Sequence, residues 1–165
     1  MSDHPMHDML VRLYDLPGDD GPGQRLTQAG YTVRRPLAAE KGIVCDWVRT
    51  HFGNGWASET DVAFSLQPIG CFIAVHHGGI VGFACHDAAY RNFFGPTGVL
   101  PGHRRQGLGR HLLLQCLHAM RHQGYAYAII GGVGPTDFYR RAVGAVSIEG
   151  SDPGIYQGIM SDIPV

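Results

Sequence analysis

The sequence Val99-Leu100-Pro101-Gly102-His103-Arg104-Arg105-Gln106-Gly107-Leu108-Gly109-Arg110 gives the strongest structural signal in the chain. Apolar residues end a strand, Pro101 and Gly102 turn the backbone, and a helix is predicted from 107 to about 123. The apolar side chains of that helix share one face: Leu108, Leu112, Leu113, Cys116, Leu117 and Met120. A strand, a turn rich in hydrogen-bond donors and a helix start therefore follow one another.

The turn into this helix is suited to bind an anion. Backbone N–H groups at a helix N-terminus lack intrahelical partners, and the helix dipole is positive there. Gly107 and Gly109 have no side chains that would keep an anion from the backbone, and positive charge comes from Arg104, Arg105 and Arg110. We therefore predict a pyrophosphate-binding turn.

Two common phosphate-binding motifs do not fit this turn. A P-loop requires Gly-x-x-x-x-Gly-Lys-Ser/Thr, and no Gly-Lys-Ser/Thr occurs in the chain. The dinucleotide fingerprint requires a third glycine where Leu112 stands. What remains is Arg-x-x-Gly-x-Gly at the start of a helix.

The flanking sequence predicts an α/β fold, with a mixed central β-sheet and helices on both faces. Two apolar runs around His76-His77-Gly78-Gly79 predict a β-hairpin, and the apolar run 125–130 predicts a strand that is covered on both faces. The other predicted elements are strands at 9–16, 31–35, 97–100, 146–148 and 155–157, and helices at 38–52, after an N-cap at Ser58, and at 135–143. Residues 17–23 are predicted to form a loop.

Length and composition fit one soluble domain over residues 1–165, with a loose tail at residues 1–8. The chain has 165 residues, of which 44% are hydrophobic and 16% charged. A formal net charge of −1 offers no basis for a nucleic-acid partner. Because no apolar run is long enough for a membrane span and the N-terminus does not resemble a signal peptide, we expect a cytoplasmic protein with no membrane partner.

The 4 cysteines and 10 histidines are not spaced as metal ligands. Each cysteine stands in apolar sequence, so we predict four reduced, mostly buried thiols and no catalytic cysteine. His118 and His122 share a helix face, where a solvated surface is favoured over a metal site. No metal cofactor is predicted.

The pattern Arg104-x-x-Gly107-x-Gly109 after a strand resembles the acetyl-CoA-binding motif of the GNAT N-acetyltransferase superfamily, (Gln/Arg)-x-x-Gly-x-(Gly/Ala). Phe138-Tyr139, on the next helix after the next strand, is similar to the family's Phe-Tyr helix. The resemblance covers roughly residues 31–150, the expected core of the domain. Two further stretches, 93–99 and 127–134, resemble a poorly characterised branch of the family.

The resemblance implies acetyl-CoA as the co-substrate. The backbone N–H groups of residues 105–110 would hold its pyrophosphate, and the pantetheine arm would pair with Val99 between two strands that splay apart in this family. Tyr139 would lie near the thioester sulfur and either protonate the leaving thiolate or donate a hydrogen bond to it. The residues implied to contact acetyl-CoA are Val99, Leu100, Arg104, Arg105, Gln106, Gly107, Leu108, Gly109 and Arg110.

The chain departs from the family pattern in the second motif and at the general base. Gly132 stands where an asparagine is frequent, Pro135 stands where a small residue is usual, and the segment after Tyr139 is one residue longer and lacks the usual aromatic residue. The stretch 94–100 has no carboxylate, where the family commonly has a glutamate. Three alternatives remain: Asp87 as the base through water, His86 in the same role, or attack by an already neutral amine. The competing interpretation of Asp87 is a turn or capping carboxylate.

The resemblance favours an N-acetyltransferase that transfers the acetyl group of acetyl-CoA to a primary amine of a small molecule or peptide. The amine would attack directly in a ternary complex, without an acyl-enzyme. Two alternatives remain, a non-catalytic acyl-CoA sensor with the same fold and a domain that binds another nucleotide. A homodimer through the late strands or the hairpin edges is a further hypothesis.

Overall fold

The computed structural model describes residues 7–18 and 21–160. Within these ranges, seven strands form one mixed sheet in the order β2-β3-β4-β5-β6-β1-β7. Neighbouring strands are antiparallel except β5 and β6, which are parallel. The strands are β1 (Met9–Arg12), β2 (Tyr31–Arg34), β3 (Cys71–His76), β4 (Gly79–His86), β5 (Phe93–Val99), β6 (Tyr127–Ile130) and β7 (Val146–Ser147).

Helices cover both faces of this sheet, as predicted. In the described part of the chain they are α1 (Pro22–Gln28), α2 (Lys41–Phe52), α3 (Asn54–Phe64), α4 (Leu108–His122) and α5 (Thr136–Val143). Phe83 and Cys85 of β4 pack against α2 and α3, whereas Ala84 between them packs in the core under α1, α4 and α5. None of the described helices is both long and apolar enough to cross a membrane.

The hairpin of β3 and β4 and the long helix α4 form where they were predicted. His77 (φ 49°) and Gly78 (φ 77°) both have left-handed backbone, as a two-residue type I′ turn requires. Helix α4 buries its apolar stripe completely, with Leu112, Leu114 and Leu117 inaccessible to solvent. Both predictions succeeded because their signals are local: a turn between apolar runs, and an apolar stripe of helical period.

Several local predictions are wrong. The strand predicted at 9–16 ends at Arg12 and is followed by the 3-10 turn Leu13–Asp15. Strand β6 is not covered on both faces, since Tyr127 is 43% exposed.

Pro22 of the predicted loop begins α1, because proline suits the first helical turn, where no N–H donor is needed. Helix α3 begins at Asn54 and not after Ser58, because Gly53 (φ 98°) redirects the chain within a single residue. Residues 155–157 form no strand, and the 3-10 turn Gly154–Tyr156 lies there instead.

The loose tail predicted at residues 1–8 is corrected for its last two residues. Asp8 is only 8% exposed, and its Oδ1 accepts a hydrogen bond from the Gly132 N–H at 3.0 Å. Its own N–H donates to the hydroxyl of Ser151 at 2.8 Å. These bonds fix the entrance to β1, which lies inside the sheet between β6 and β7. Residues 1–6 are outside the described residues.

All four cysteines are buried free thiols, which confirms that prediction. Cys71 and Cys85 are register partners on β3 and β4. Burial raises the pKa of the Cys116 thiol well above its usual value, so this thiol stays protonated. Within the described ranges, no group of three or more His, Cys, Asp or Glu side chains could hold a metal ion.

Strands β5 and β6 pair only through the first two residues of β5 and the last two residues of β6. Phe93 pairs with Ile129 and Phe94 with Ile130, and the pairing ends there. Strand β5 continues along β4 as far as Val99, which pairs with Gly82. Beyond Phe94, β5 has no strand partner on the β6 side, which leaves a gap along the rest of β5 up to the turn before α4.

Gly70 links the end of α3 to the end of β4 by hydrogen bonds, since its N–H donates to the Ala63 carbonyl and its own carbonyl accepts the His86 N–H. Its replacement by alanine should destabilise the fold. A Cβ atom there would lie 2.7 Å from the His86 carbonyl oxygen, which is backbone and has little room to move. We expect Gly70→Ala to lower the free energy of unfolding by about 1–3 kcal/mol in urea titrations. The control is Gly42→Ala in α2, where a Cβ meets nothing within 4 Å. That variant should be neutral or more stable by up to about 1 kcal/mol. Equal stabilities of the two variants would contradict this account of Gly70.

Candidate active site

The N-terminus of α4 presents free backbone donors. Gly107 is its N-cap, with φ 82°, a left-handed conformation that favours glycine. No side chain caps the helix, and the first intrahelical bond runs from the His111 N–H to the Gly107 carbonyl at 3.0 Å. The N–H groups of residues 108–110 consequently have no helical partner. An anion can occupy the position that a capping side chain usually fills.

The loop before α4 is held in a strained shape. Arg105 has φ 64°, which is uncommon for a residue with a Cβ. Nε of Arg104 donates to the Val99 carbonyl at 3.0 Å, so this side chain ties the loop to the end of β5. Arg105 and Gln106 are exposed, whereas Leu108 is only 1% exposed and anchors the helix in the core. The loop thus keeps its polar groups toward solvent around a fixed helix start.

A groove of about 480 Å³ lies between the first turn of α4 and helix α5. Two arginines, Arg110 and Arg141, line it from the two helices. Asp137 also lines the groove and pairs with Arg140 at 3.6 Å. The remaining lining residues are Pro135, Phe138 and Ala142. The groove therefore extends the positive region of the α4 N-terminus onto the neighbouring helix.

The free edge of β5 faces the gap. The N–H of Leu100 donates to the Val81 carbonyl on the β4 side at 2.9 Å. Because backbone groups alternate along a strand, the N–H and C=O of Val99 point to the other edge, which β6 does not cover. Arg104 already contacts the Val99 carbonyl, and the Val99 N–H points toward the open side. An extended ligand can therefore pair with β5 there, as an added strand would.

Tyr139 lies on α5 with its ring in the core, 6% exposed. Its ring centroid is 6.3 Å from that of Phe94, the last residue of β5 that pairs with β6. Burial raises the pKa of Tyr139 to about 12, so the phenol keeps its proton at neutral pH. We call the place where β5 and β6 still pair the closed end of the gap. The position of Tyr139 next to it and the retained proton both suit a hydrogen-bond or proton donor.

Asp87 lies at the other end of β5 from the α4 turn. The strand between them, Phe93–Val99, spans roughly 20 Å. Oδ2 of Asp87 contacts Nδ1 of His86 at 2.7 Å, and Oδ1 accepts the N–H of Asn92 at 2.7 Å. Burial by itself raises the pKa of Asp87, but hydrogen bonds from His86, Asn92 and Tyr125 outweigh it, and the net pKa is lowered. This geometry favours a turn carboxylate, and a catalytic role for Asp87 stays a prediction.

Sequence reasoning missed Glu59, a half-buried carboxylate on α3. The hydroxyl of Tyr156 donates to its Oε1 at 3.1 Å. Burial raises the pKa of Glu59, and the hydrogen bond from Tyr156 counteracts part of that shift. The two residues are 97 positions apart, so no local pattern links them.

Solved structures share this fold at low sequence identity. A glucosamine N-acetyltransferase region of a fungal multi-domain GH3 β-N-acetylglucosaminidase matches with a TM-score of 0.71 and 16% identity, over 90% of this chain and 20% of that chain. A GCN5-related N-acetyltransferase from Sphaerobacter thermophilus matches with a TM-score of 0.65 and 21% identity, over 88% of this chain and 50% of that chain. A third, from Kribbella flavida, has a TM-score of 0.56 and 21% identity, over 88% and 55% of the two chains. This chain thus spans 20% to 55% of their lengths. No curated protein matches it.

A family model identifies the chain by sequence. The model described as the acetyltransferase (GNAT) family matches residues 42–144, which is more than half of the chain. The matched range runs from α2 to the end of α5 and includes the α4 turn and Tyr139. Strand β1 lies outside this range, although it is an internal strand of the sheet. The chain belongs to the GNAT family of acetyltransferases.

Proposed function

We propose that this protein transfers the acetyl group of acetyl-CoA to a primary amine of a small molecule or peptide, by direct attack in a ternary complex. The observation that carries the proposal is the uncapped N-terminus of α4, which lies next to the gap between β5 and β6. A diphosphate and an extended amide-containing arm are the two chemical groups that these features suit. Acetyl-CoA contains both, in that order.

The proposed binding mode assigns one part of acetyl-CoA to each feature. The N–H groups of residues 108–110 bind the pyrophosphate, and Arg105 and Arg110 add charge. The arm extends along the free edge of β5, where the Val99 N–H is available. The thioester then reaches the closed end of the gap near Phe94, where Tyr139 can protonate the leaving thiolate.

The co-substrate and the acceptor remain proposals, and so does turnover itself. A non-catalytic acyl-CoA sensor with the same fold would bind acetyl-CoA and acetylate no amine. No feature of the described residues favours that alternative over the enzyme. A cytoplasmic location, the absence of nucleic-acid and membrane partners and a homodimer stay predictions.

Acetyl-CoA binding can be tested at Gly109, in the first turn of α4. A Cβ there would approach only Val99 Cγ2, at 3.9 Å, so a side chain fits without disturbing the fold. Gly109→Glu places a carboxylate against the pyrophosphate, and we expect the Kd for acetyl-CoA to rise at least about tenfold, or about 1.4 kcal/mol. Isothermal titration measures it, with Gly109→Ala as the control that keeps Kd within about threefold. A well-folded wild type that does not bind acetyl-CoA would refute the proposed function.

The donor role of Tyr139 can be tested by removing its hydroxyl. Tyr139→Phe should lower kcat about 10- to 100-fold, because the leaving thiolate loses its proton donor, while the Kd for acetyl-CoA stays unchanged. Release of the CoA thiol reports the rate over a panel of amines. Tyr14→Phe is the matched control, since Tyr14 is 55% exposed and lies beside the first residue of β6, Tyr127. Equal rates for the two variants would remove Tyr139 from the mechanism.

The role of Asp87 can be tested by Asp87→Asn, since asparagine tolerates the left-handed backbone at this position (φ 54°). We expect the free energy of unfolding to fall by about 1–3 kcal/mol at pH 7, because a buried carboxylate loses hydrogen bonds. Because the pKa of Asp87 is lower in the folded protein than its usual value of 3.8, the ionised carboxylate contributes stability above pH 3.8. The difference in unfolding free energy between wild type and Asp87→Asn should therefore shrink as the pH falls below that value. The rate should change less than about threefold. A large loss of kcat in a stable variant would establish Asp87 as the base.

A further inference from the structure

The hydrogen bond between Glu59 and Tyr156 crosses the gap between β5 and β6. Glu59 belongs to α3, which packs against β3, β4 and β5. Tyr156 lies at the end of β6, where its Cε2 is 3.9 Å from the Cβ position of Gly132. The bond of 3.1 Å therefore joins a helix on the β5 side to a segment on the β6 side.

The closed end of the gap lies directly beside this pair. Gly131 precedes Gly132, and its Cβ position is 3.0 Å from Cδ1 of Phe93, the first residue of β5. Phe94 packs in the core under α4, so Phe93 points to the opposite face of the sheet, where α3 lies. The Glu59 carboxylate thus reaches the gap from the face opposite α4 and α5.

An aromatic surface lies one helical turn from Glu59. Trp56 is three residues earlier on α3, on the same side of the helix, and is 39% exposed. Its ring stacks on Phe52 at 5.4 Å, and the Phe52 ring covers the second half of β5, where it fills the space above Gly98. A carboxylate and a flat apolar surface are therefore adjacent, over the strand that lacks a carboxylate of its own.

We propose that Glu59, positioned by Tyr156, binds the ammonium group of the acceptor and takes its proton, and that Trp56 holds a planar apolar body attached to that amine. This inference rests on the acetyl transfer proposed above. It assigns a general base that β5 lacks, and it narrows the acceptor to primary amines with an aromatic or similarly flat group.

One ammonium proton passes to the Glu59 carboxylate, and the neutral nitrogen attacks the thioester carbonyl, so that a C–N bond forms and the C–S bond breaks. The thiolate takes the proton of Tyr139, and the second proton lost by the nitrogen returns to the Tyr139 oxygen through water. Glu59 releases its proton to solvent, and the net reaction yields one amide, one thiol and one proton.

The surroundings of Glu59 support this role. Burial raises the pKa of its carboxyl above the usual value, which makes the carboxylate a better proton acceptor near neutral pH. Asp61 on the same helix is engaged with Lys41 of α2 at 2.9 Å. The Asp8 carboxylate lies near the segment that carries Tyr156, since its Oδ2 would be 3.2 Å from a Cβ atom built on Gly154. The other titratable or charged side chains on elements that pack against α3 are Asp46, Arg49 and His51 of α2, His76 of β3, His86 of β4 and the thiols of Cys45, Cys71 and Cys85.

The test uses 2-phenylethylamine as the probe acceptor and the full-length chain. We expect Glu59→Gln to keep the Kd for acetyl-CoA within about twofold and to lower kcat/KM at least about 100-fold. The wild-type rate should fall as the pH drops through the raised pKa of Glu59. This acid limb of the pH–rate profile should be absent in Glu59→Gln. Tyr156→Phe should shift the limb to higher pH, because the hydrogen bond that lowers the pKa of Glu59 is lost. Asp61→Asn is the matched control, since it removes an exposed carboxylate of the same helix.

The possible outcomes separate this inference from the proposed function. Loss of turnover in Glu59→Gln with intact acetyl-CoA binding, together with a shifted limb in Tyr156→Phe, supports it. An unchanged rate or an unchanged acid limb in Glu59→Gln overturns it. A wild type that binds acetyl-CoA but acetylates ethanolamine as well as 2-phenylethylamine overturns the acceptor class, and so does one that acetylates neither. A wild type that does not bind acetyl-CoA refutes the proposed function instead.

Discussion

The early end of pairing between β5 and β6 is the constraint on which the rest of the site depends. Only Phe93 and Phe94 pair with β6, so the remainder of β5 has a free edge inside a sheet that is otherwise continuous. Unpaired backbone groups are costly when they are buried, and a ligand that pairs with them removes that cost. Strand β5 continues into the turn before α4, so the free N–H donors of the first helical turn follow this unpaired edge along the chain.

Glycine residues shape this opening in two ways. Gly131 leaves room for the ring of Phe93 at the closed end, and Gly98 leaves room for the ring of Phe52 above β5. Gly107 and Gly109 have no side chains at the open end, and neither has a neighbouring heavy atom closer than 3.9 Å to its Cβ position. Glycine thus serves two different purposes here, close packing against aromatic rings along β5 and space for an anion at the start of α4.

Two carboxylates near the site differ because their partners differ. Asp87 accepts several hydrogen bonds in a turn, and its pKa falls despite burial. Among the residues that the structure describes, Glu59 accepts a side-chain hydrogen bond from Tyr156, and burial raises its pKa. A carboxylate that is satisfied by the protein stabilises the fold, whereas one that is partly desolvated and has free acceptor capacity is suited to take a proton. The distinction follows from environment, since both residues are ordinary acids in the sequence.

Local sequence was sufficient to predict the α4 turn, the β3–β4 hairpin and the α/β class, because each signal lies within about 15 contiguous residues and follows from helix-start chemistry, turn preference or apolar period. Residues 22–23 of the predicted loop and the N-cap at Ser58 were misassigned because Pro22 and Gly53 act through backbone geometry that composition alone does not reveal. Only the tertiary structure could decide that β1 lies inside the sheet and that Glu59 meets Tyr156. Those contacts join segments about 100 residues apart, and they depend on how the sheet is ordered and where β5 and β6 separate.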